Sequence, residues 1–155
     1  MIVTRIFADD RGETHFADVD LPLTPTPVAV GLPPIGASPS MASSHLQFVV
    51  VPSAVIAHDW HPAPARQFVL LLKGELEVEV SDGERRSFAQ GSIVFVEDTH
   101  GKGHKDHAIN ADDFLLALVP VPDEMTVERL MDRDRARDAT ASPPSRHRRG
   151  VQGNS

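Results

Sequence analysis

Between residues 75 and 80 the chain alternates strictly between charge and hydrocarbon, Glu75-Leu-Glu-Val-Glu-Val80, and then turns at Ser81-Asp82-Gly83. Successive side chains of a strand point to opposite faces, so Leu76, Val78 and Val80 share one face while the three glutamates take the other. Slipping this strand by one residue would bury three carboxylates, so its register is set by its own composition. The Asp-Gly pair supplies the backbone freedom of a tight hairpin, and the chain returns through residues 84–88. A segment built this way pairs with a neighbour and buries one face against a second layer.

Other strand patterns surround it. Leu46–Val51 and Ser53–Trp60 are rich in β-branched and apolar residues, and Gln67–Leu72 is a nearly continuous apolar run, as expected of a strand covered on both faces. Gln90-Gly91 turns the chain into Ser92–Val96, and Phe114–Val119 closes the series after a polar segment. Short strands at regular spacing with glycine turns predict an all-β sandwich or barrel, with its core over about residues 46–119. Thr4–Phe7 and Thr14–Val19 flank a polar Asp9-Asp10-Arg11-Gly12 turn and read as an edge hairpin. Residues 21–44 carry Pro22, Pro25, Pro27, Pro33 and Pro34 and read as a long surface loop, either a plain connection or a lid.

Toward the end, Val127, Leu130 and Met131 predict one apolar stripe of a short helix capped by Asp123 or Thr126. Residues 139–155 have no apolar periodicity and read as a disordered tail, with Arg146–Arg149 a solvated basic patch. One domain over residues 1–138 is the expected organisation, consistent with a 155-residue chain of which 41% is hydrophobic. A net charge of −7 disfavours nucleic-acid partners, which need a basic footprint. With no cysteine there are no disulfides and no thiolate ligands or nucleophiles. The longest apolar run, Phe114 to Val119, is too short to cross a bilayer and no secretory signal opens the chain, so the reading is a cytoplasmic protein with a small-molecule ligand and no membrane partner.

Chemistry-bearing residues gather between Trp60 and His104. Two histidine pairs, His58/His61 and His100/His104, stand at opposite ends of the strand series, and Gln67 opens the first buried strand. Imidazole binds zinc, iron, nickel and copper, and it also exchanges protons near neutrality, so these residues suit either a metal site or metal-free catalysis. Arg66, the neighbour of Gln67, is expected to face the other way. Glu97 and Asp98 are open to a proton-transfer role or a place on a solvated rim, with the rim favoured. Lys102 can attract an anionic ligand or face water. His15, His45, His107 and His147 read as exposed.

The order of these features resembles the cupin family. The resemblance rests on His61 ending an incoming strand, the Gln67-to-Gly74 strand and turn, the Asp82-Gly83 hairpin, Gly91 opening the next strand and His104 after it. It implies an antiparallel jelly-roll β-barrel, often a homodimer, whose members hold a divalent metal with two histidines and a glutamate from a first motif and one histidine from a second. Here His61 matches the first histidine and His104 the last. Ala63 stands where the second histidine would be, and Gln67 holds the glutamate's place, seven residues before Gly74. The implied metal set is therefore His61, Gln67 and His104, completed by His58, His100 or Glu97, for Fe, Mn, Ni or Zn and with no organic cofactor. His58 lies three residues from His61 and needs a strand irregularity to share its face. The same three residues, His61, Gln67 and His104, are the catalytic candidates. Three functions follow as expectations: a metal-dependent enzyme acting on a small oxygen-rich metabolite, a metal-free cyclase or isomerase of polyketide-type metabolism, or a non-catalytic metabolite-binding or sensing protein.

Overall fold

The computed structural model describes residues 1–56 and 59–131. In chain order the strands are β1 (Ile2–Ala8), β2 (Thr14–Asp20), β3 (Thr24–Thr26), β4 (Ile35–Ala37), β5 (Gln47–Val51), β6 (Gln67–Lys73), β7 (Leu76–Val80), β8 (Arg85–Phe88), β9 (Ile93–Val96), β10 (His104–Ala108) and β11 (Phe114–Pro120). Among the described residues one α-helix, α1, spans Val127–Met131. The protein is all-β, as the alternation and turn chemistry predict.

Six strands form one sheet in the order β2-β1-β9-β6-β11-β5, and three form a second in the order β10-β7-β8. The sheets do not close into a barrel, and β1 runs parallel to β9, so neither barrel closure nor a purely antiparallel arrangement holds. The two sheets instead share a core. Ile6, Leu71, Val94, Val96 and Phe114 of the large sheet pack in one cluster with Val78, Val80 and Phe88 of the small one. Val80 is fully buried, Val78 is 5% exposed and Leu76 packs at the margin, so this face of β7 is the inward one. The hairpin after it is closed by Gly83, at φ 96°, whose N–H donates to the Val80 carbonyl at 2.9 Å.

The apolar run of β6 is covered on both sides. Val69 and Leu71 join the inter-sheet core, while Phe68 and Leu70 join a second cluster on the opposite face with Phe95, Val3, Val121 and Leu130. Helix α1 seals that second cluster. The Thr126 hydroxyl accepts from the Arg129 N–H, which makes Thr126 the cap, and Val127 and Leu130 are buried. Met131 is 48% exposed and does not join the stripe.

Three further expectations are corrected. Of the strand expected over residues 53–60, the described residues 53–56, 59 and 60 form none: Pro52 stops the β5 ladder, Ser53–Val55 form a 3-10 turn, and Ser53 is tied to Asp113 and to the Ala111 carbonyl. The proline-rich segment contains a small ladder, with Thr24, Pro25 and Thr26 paired to Ala37, Gly36 and Ile35; a two-stranded ribbon has free edges on which proline loses no bond. The polar stretch before Phe114 contains β10, paired antiparallel to β7 from His104↔Val80 to Ala108↔Leu76. The expected tail at 139–155, the Arg146–Arg149 patch and His147 lie outside the described residues.

The β1–β2 turn is fastened to the small sheet by charge. His15 Nδ1 lies 2.6 Å from Asp82 and its Nε2 3.5 Å from Asp9, so the imidazole is a half-buried clamp between two carboxylates and not merely a surface group. Its pKa is raised above 6.5, chiefly by the Asp82 hydrogen bond and against a smaller desolvation effect. A histidine with a raised folded pKa contributes stability that is fully present below its unfolded value and lost as the pH climbs through the folded one. Thermal stability is therefore expected to fall between about pH 6 and pH 8, with a smaller fall in His15→Gln; melting curves across that range are the check. Equal pH slopes in the two proteins would remove the clamp from the account.

Candidate metal and ligand site

The inter-sheet core is not completely filled. A cavity of about 190 Å³ opens within it, lined by residues of both sheets and by His61, Gln67, His104 and Asp106. Three turns of local chemistry place those four side chains. Gln67 is the first residue of β6 and is only 7% exposed; Val69 and Leu71 follow it on the same face and also line the cavity. His104 opens β10, and the strand's period of two puts Asp106 on the same side, while Lys105 lies under the Trp60 ring and His107 is drawn outward to Glu79. His61 belongs to no strand, but it exchanges two backbone hydrogen bonds with His104, of 3.0 and 2.9 Å.

That exchange brings the two imidazoles together, with ring centroids 4.6 Å apart. It is possible because residue 103 is glycine. Gly103 takes φ 75°, and a Cβ there would stand 2.1 Å from the His61 carbonyl oxygen. The loop carrying it is pinned at its other end as well. The Lys102 N–H donates to the Gly12 carbonyl at 2.9 Å, Gly101 lies directly on Gly12, and the Lys102 ammonium pairs with Glu13. Lys102 is thus a structural tie away from the cavity.

Each imidazole presents one defined nitrogen. The Nδ1–H of His61 donates to the Asp59 carbonyl at 3.0 Å, which leaves Nε2 with its lone pair. The Nδ1–H of His104 donates to Asp98 at 2.7 Å, again leaving Nε2. A carboxylate behind a ligating histidine fixes the ring and raises its donor strength. His61 Nε2 is 3.9 Å from an Asp106 carboxylate oxygen, and one donor atom from each of His61, His104 and Asp106 lies within 4.8 Å of the others. These three residues can hold a metal ion. Two imidazoles and one carboxylate on one side of a cavity are a suitable donor set for a divalent transition metal, with positions left open for a ligand.

The electrostatics fit that role. Burial raises the Asp106 pKa, and the two histidines only partly counter it. Burial lowers that of His104, but the Asp98 hydrogen bond and the Asp98 and Asp106 charges outweigh it and leave it raised. A cation therefore competes with protons for these groups, and does so against more of them as the pH falls.

Comparison with known proteins adds little here. No protein-family model matches the chain, and no curated protein matches it. Among solved structures it is similar to the crystal structure of protein NMB1881 from Neisseria meningitidis, at 16% identity and a TM-score of 0.40, over 55% of this chain and 84% of that one.

The sequence candidates distribute as follows. His61, Gln67 and His104 meet at one cavity. His100 is exposed on a turn and does not line it, and His58 lies outside the described residues. Glu97 is held between Arg5 and Arg66, at 2.9 Å from Arg66, which faces away from the cavity as the alternation requires. Asp98 is fully buried, so neither acid forms a solvated rim. Asp106 was not among the candidates at all, because His104-Lys-Asp106-His-Ala108 carries no apolar alternation to mark it as a strand.

Asp98 has a further property. Its Oδ1 is buried with no hydrogen-bond partner among the described residues, and its Oδ2 bonds to His104. Asp98→Asn is expected to weaken metal binding by roughly 10–100-fold, the usual range for a partner behind a ligand. Calorimetric titration with Zn2+ or Mn2+ measures it, and an unchanged affinity would show that His104 needs no such support.

Proposed function

We propose that this protein is a metal-dependent enzyme of cupin type, in which His61, His104 and Asp106 hold one divalent metal at the wall of the inter-sheet cavity. The observation that carries the reading is the convergence of two imidazoles, each held through Nδ1, and a carboxylate at the wall of the inter-sheet cavity. Asp106 supplies the negative charge that Gln67 lacks, from the strand of the last histidine instead of the first motif. When bound, the metal supplies Lewis acidity and open positions for a substrate oxygen. The protein's own groups do the rest. Asp98 orients His104, Gln67 is placed to donate to or accept from a bound oxygen, and the apolar walls exclude water. The jelly-roll relationship is part of the same reading, supported by the two facing sheets and the site's position between them.

The test is elemental analysis of protein purified without added metal, followed by reconstitution. About one equivalent of Fe, Mn, Ni or Zn per chain is expected, lost in the His61→Ala and His104→Ala proteins. Failure to hold metal even after reconstitution would sink the proposal. Turnover that persists in chelator would favour the metal-free cyclase or isomerase instead, with the Asp98–His104 pair as its base.

A homodimer fits the same picture. What supports it is β5, which ends the six-stranded sheet, carries no charge or proline from Gln47 to Val51, and exposes Phe48 and Val50. Such an edge is a template for strand pairing, and an antiparallel second copy of β5 meets it without like charges opposed. Light scattering should give twice the chain mass, and Val50→Lys should shift it to monomer. A wild-type monomer at micromolar concentration would exclude this interface.

A further inference from the structure

The cavity wall also speaks to the kind of molecule that enters. Fifteen of the nineteen lining residues are apolar, and the polar exceptions are His61, Gln67, His104 and Asp106. Three of those four are the metal donors, so Gln67 is the one remaining polar side chain. Neither lysine nor arginine lines the cavity among the described residues. Leu71, Val78, Phe88, Val94 and Phe114, each less than 9% exposed, form walls that offer no hydrogen bond to a ligand.

From this we infer that the site takes a small, uncharged, mainly hydrocarbon ligand with one oxygen-bearing end, such as a cyclic or short-chain ketone, enol or alcohol. The inference rests on the reading of the cavity as the substrate site and names its substrate class. The size follows from the volume. A cavity of about 150 Å³ lined by similar side chains accommodates benzene, so about 190 Å³ holds roughly seven or eight non-hydrogen atoms. The chemistry follows from the wall. A hydroxyl taken from water without a partner is penalised, and a sugar brings several where the cavity offers Gln67 and the metal alone. A phosphate or free carboxylate would find no lysine or arginine at the wall, only the metal, half of whose charge Asp106 already offsets. The lining thus favours a hydrocarbon body over the oxygen-rich metabolite that the family resemblance implies. A single polar end directed to the metal and Gln67 satisfies both kinds of surface at once.

The experiment is a set of titrations followed by methyl NMR on protein labelled at leucine and valine methyls, run once in chelator and once with Zn2+. The probes are cyclohexanone, glucose and glucose 6-phosphate. Cyclohexanone should give saturable shifts at the methyls of Leu71, Val78 and Val94 in the metal-free protein, with an affinity at least tenfold above that of glucose. Zn2+ should tighten it further. Leu116→Phe, which narrows the cavity without touching a polar group, should weaken cyclohexanone about tenfold, with circular dichroism reporting on the fold. The wild-type comparison of ketone with sugar decides the matter even if that variant does not fold. Glucose or its phosphate binding as tightly as the ketone would overturn the inference, as would no probe binding in either form. In that last case stoichiometric Zn2+ binding would leave the metal reading intact. Ketone binding without any Zn2+ binding would do the reverse, supporting the ligand class while ending the metal proposal.

Discussion

Replacing Asp106 with asparagine is expected to abolish tight metal binding and to leave the fold standing. The change preserves shape and removes the only carboxylate in the three-residue cluster. Partners behind a ligand cost roughly 10–100-fold when lost, so loss of a donor itself should exceed about 100-fold. The stability effect has the opposite sign. Burial raises the Asp106 pKa above 3.8, so from that value up through the folded one the native state holds more protons than the unfolded chain, and stability declines as the pH rises. At neutral pH the metal-free wild type therefore carries a destabilising charge, and Asp106→Asn should melt at the same temperature or higher. Calorimetric metal titration beside thermal melts in chelator tests both halves. Metal affinity within a few-fold of wild type would remove Asp106 from the donor set, and a melting point several degrees lower would show that its role is structural.

Gly103→Ala should do the most damage to the fold of any single change near the cavity. The left-handed backbone costs a residue with a Cβ about 1–2 kcal/mol. The added methyl would also stand 2.1 Å from the His61 carbonyl oxygen and 2.5 Å from the Pro62 nitrogen, both backbone atoms that cannot swing aside. Relief requires the His61 and His104 segments to part, losing two mutual hydrogen bonds worth about 0.5–1.5 kcal/mol each. The sum is roughly 2–5 kcal/mol, or a fall in melting temperature of about 5–20 °C in a chain of this size. Gly83→Ala is the control. Gly83 also has positive φ, but a Cβ there meets nothing within 4 Å, so only the backbone cost applies. Equal losses in the two variants would mean that the close approach to His61 is unimportant. Metal binding should fall in Gly103→Ala alone, since it alone separates the two imidazoles.

Much of the architecture was written locally. The Glu75–Val80 alternation defined β7 and its inward face, and the unbroken apolar run from Phe68 to Leu72 marked a strand covered on both sides, because burial demands hydrocarbon at each position that meets another layer. Gly83 and Gly91 marked turns because the backbone there needs positive φ. Strand β10 escaped for the complementary reason. Its residues His104-Lys-Asp-His-Ala108 look like a loop, since the inward side of the strand faces a polar site instead of a hydrocarbon core. Functional strands lose the hydrophobic signal by which strands are read, and Asp106 was lost with it. Residues 53–56 failed in the other direction. They have strand-like composition, yet Pro52 and the ties of Ser53 to Asp113 and Ala111 turn them into a connection.

The candidate metal donors show the same division. His61 and His104 were legible as members of two histidine pairs at the ends of the strand series, and Gln67 because it opens a buried strand in the place that the family's glutamate would take. Sequence by itself determined the strand faces, the hairpin turns and the identity of the chemically capable residues, since each depends on neighbours a few positions away. Only the tertiary structure decided that the sheets face each other without closing, that Gly103 lets His61 and His104 share a backbone bridge, and that Asp106 and Asp98 complete their surroundings. The His61–His104 bridge joins residues 43 positions apart, and at that separation proximity is set by how layers pack and not by any local preference.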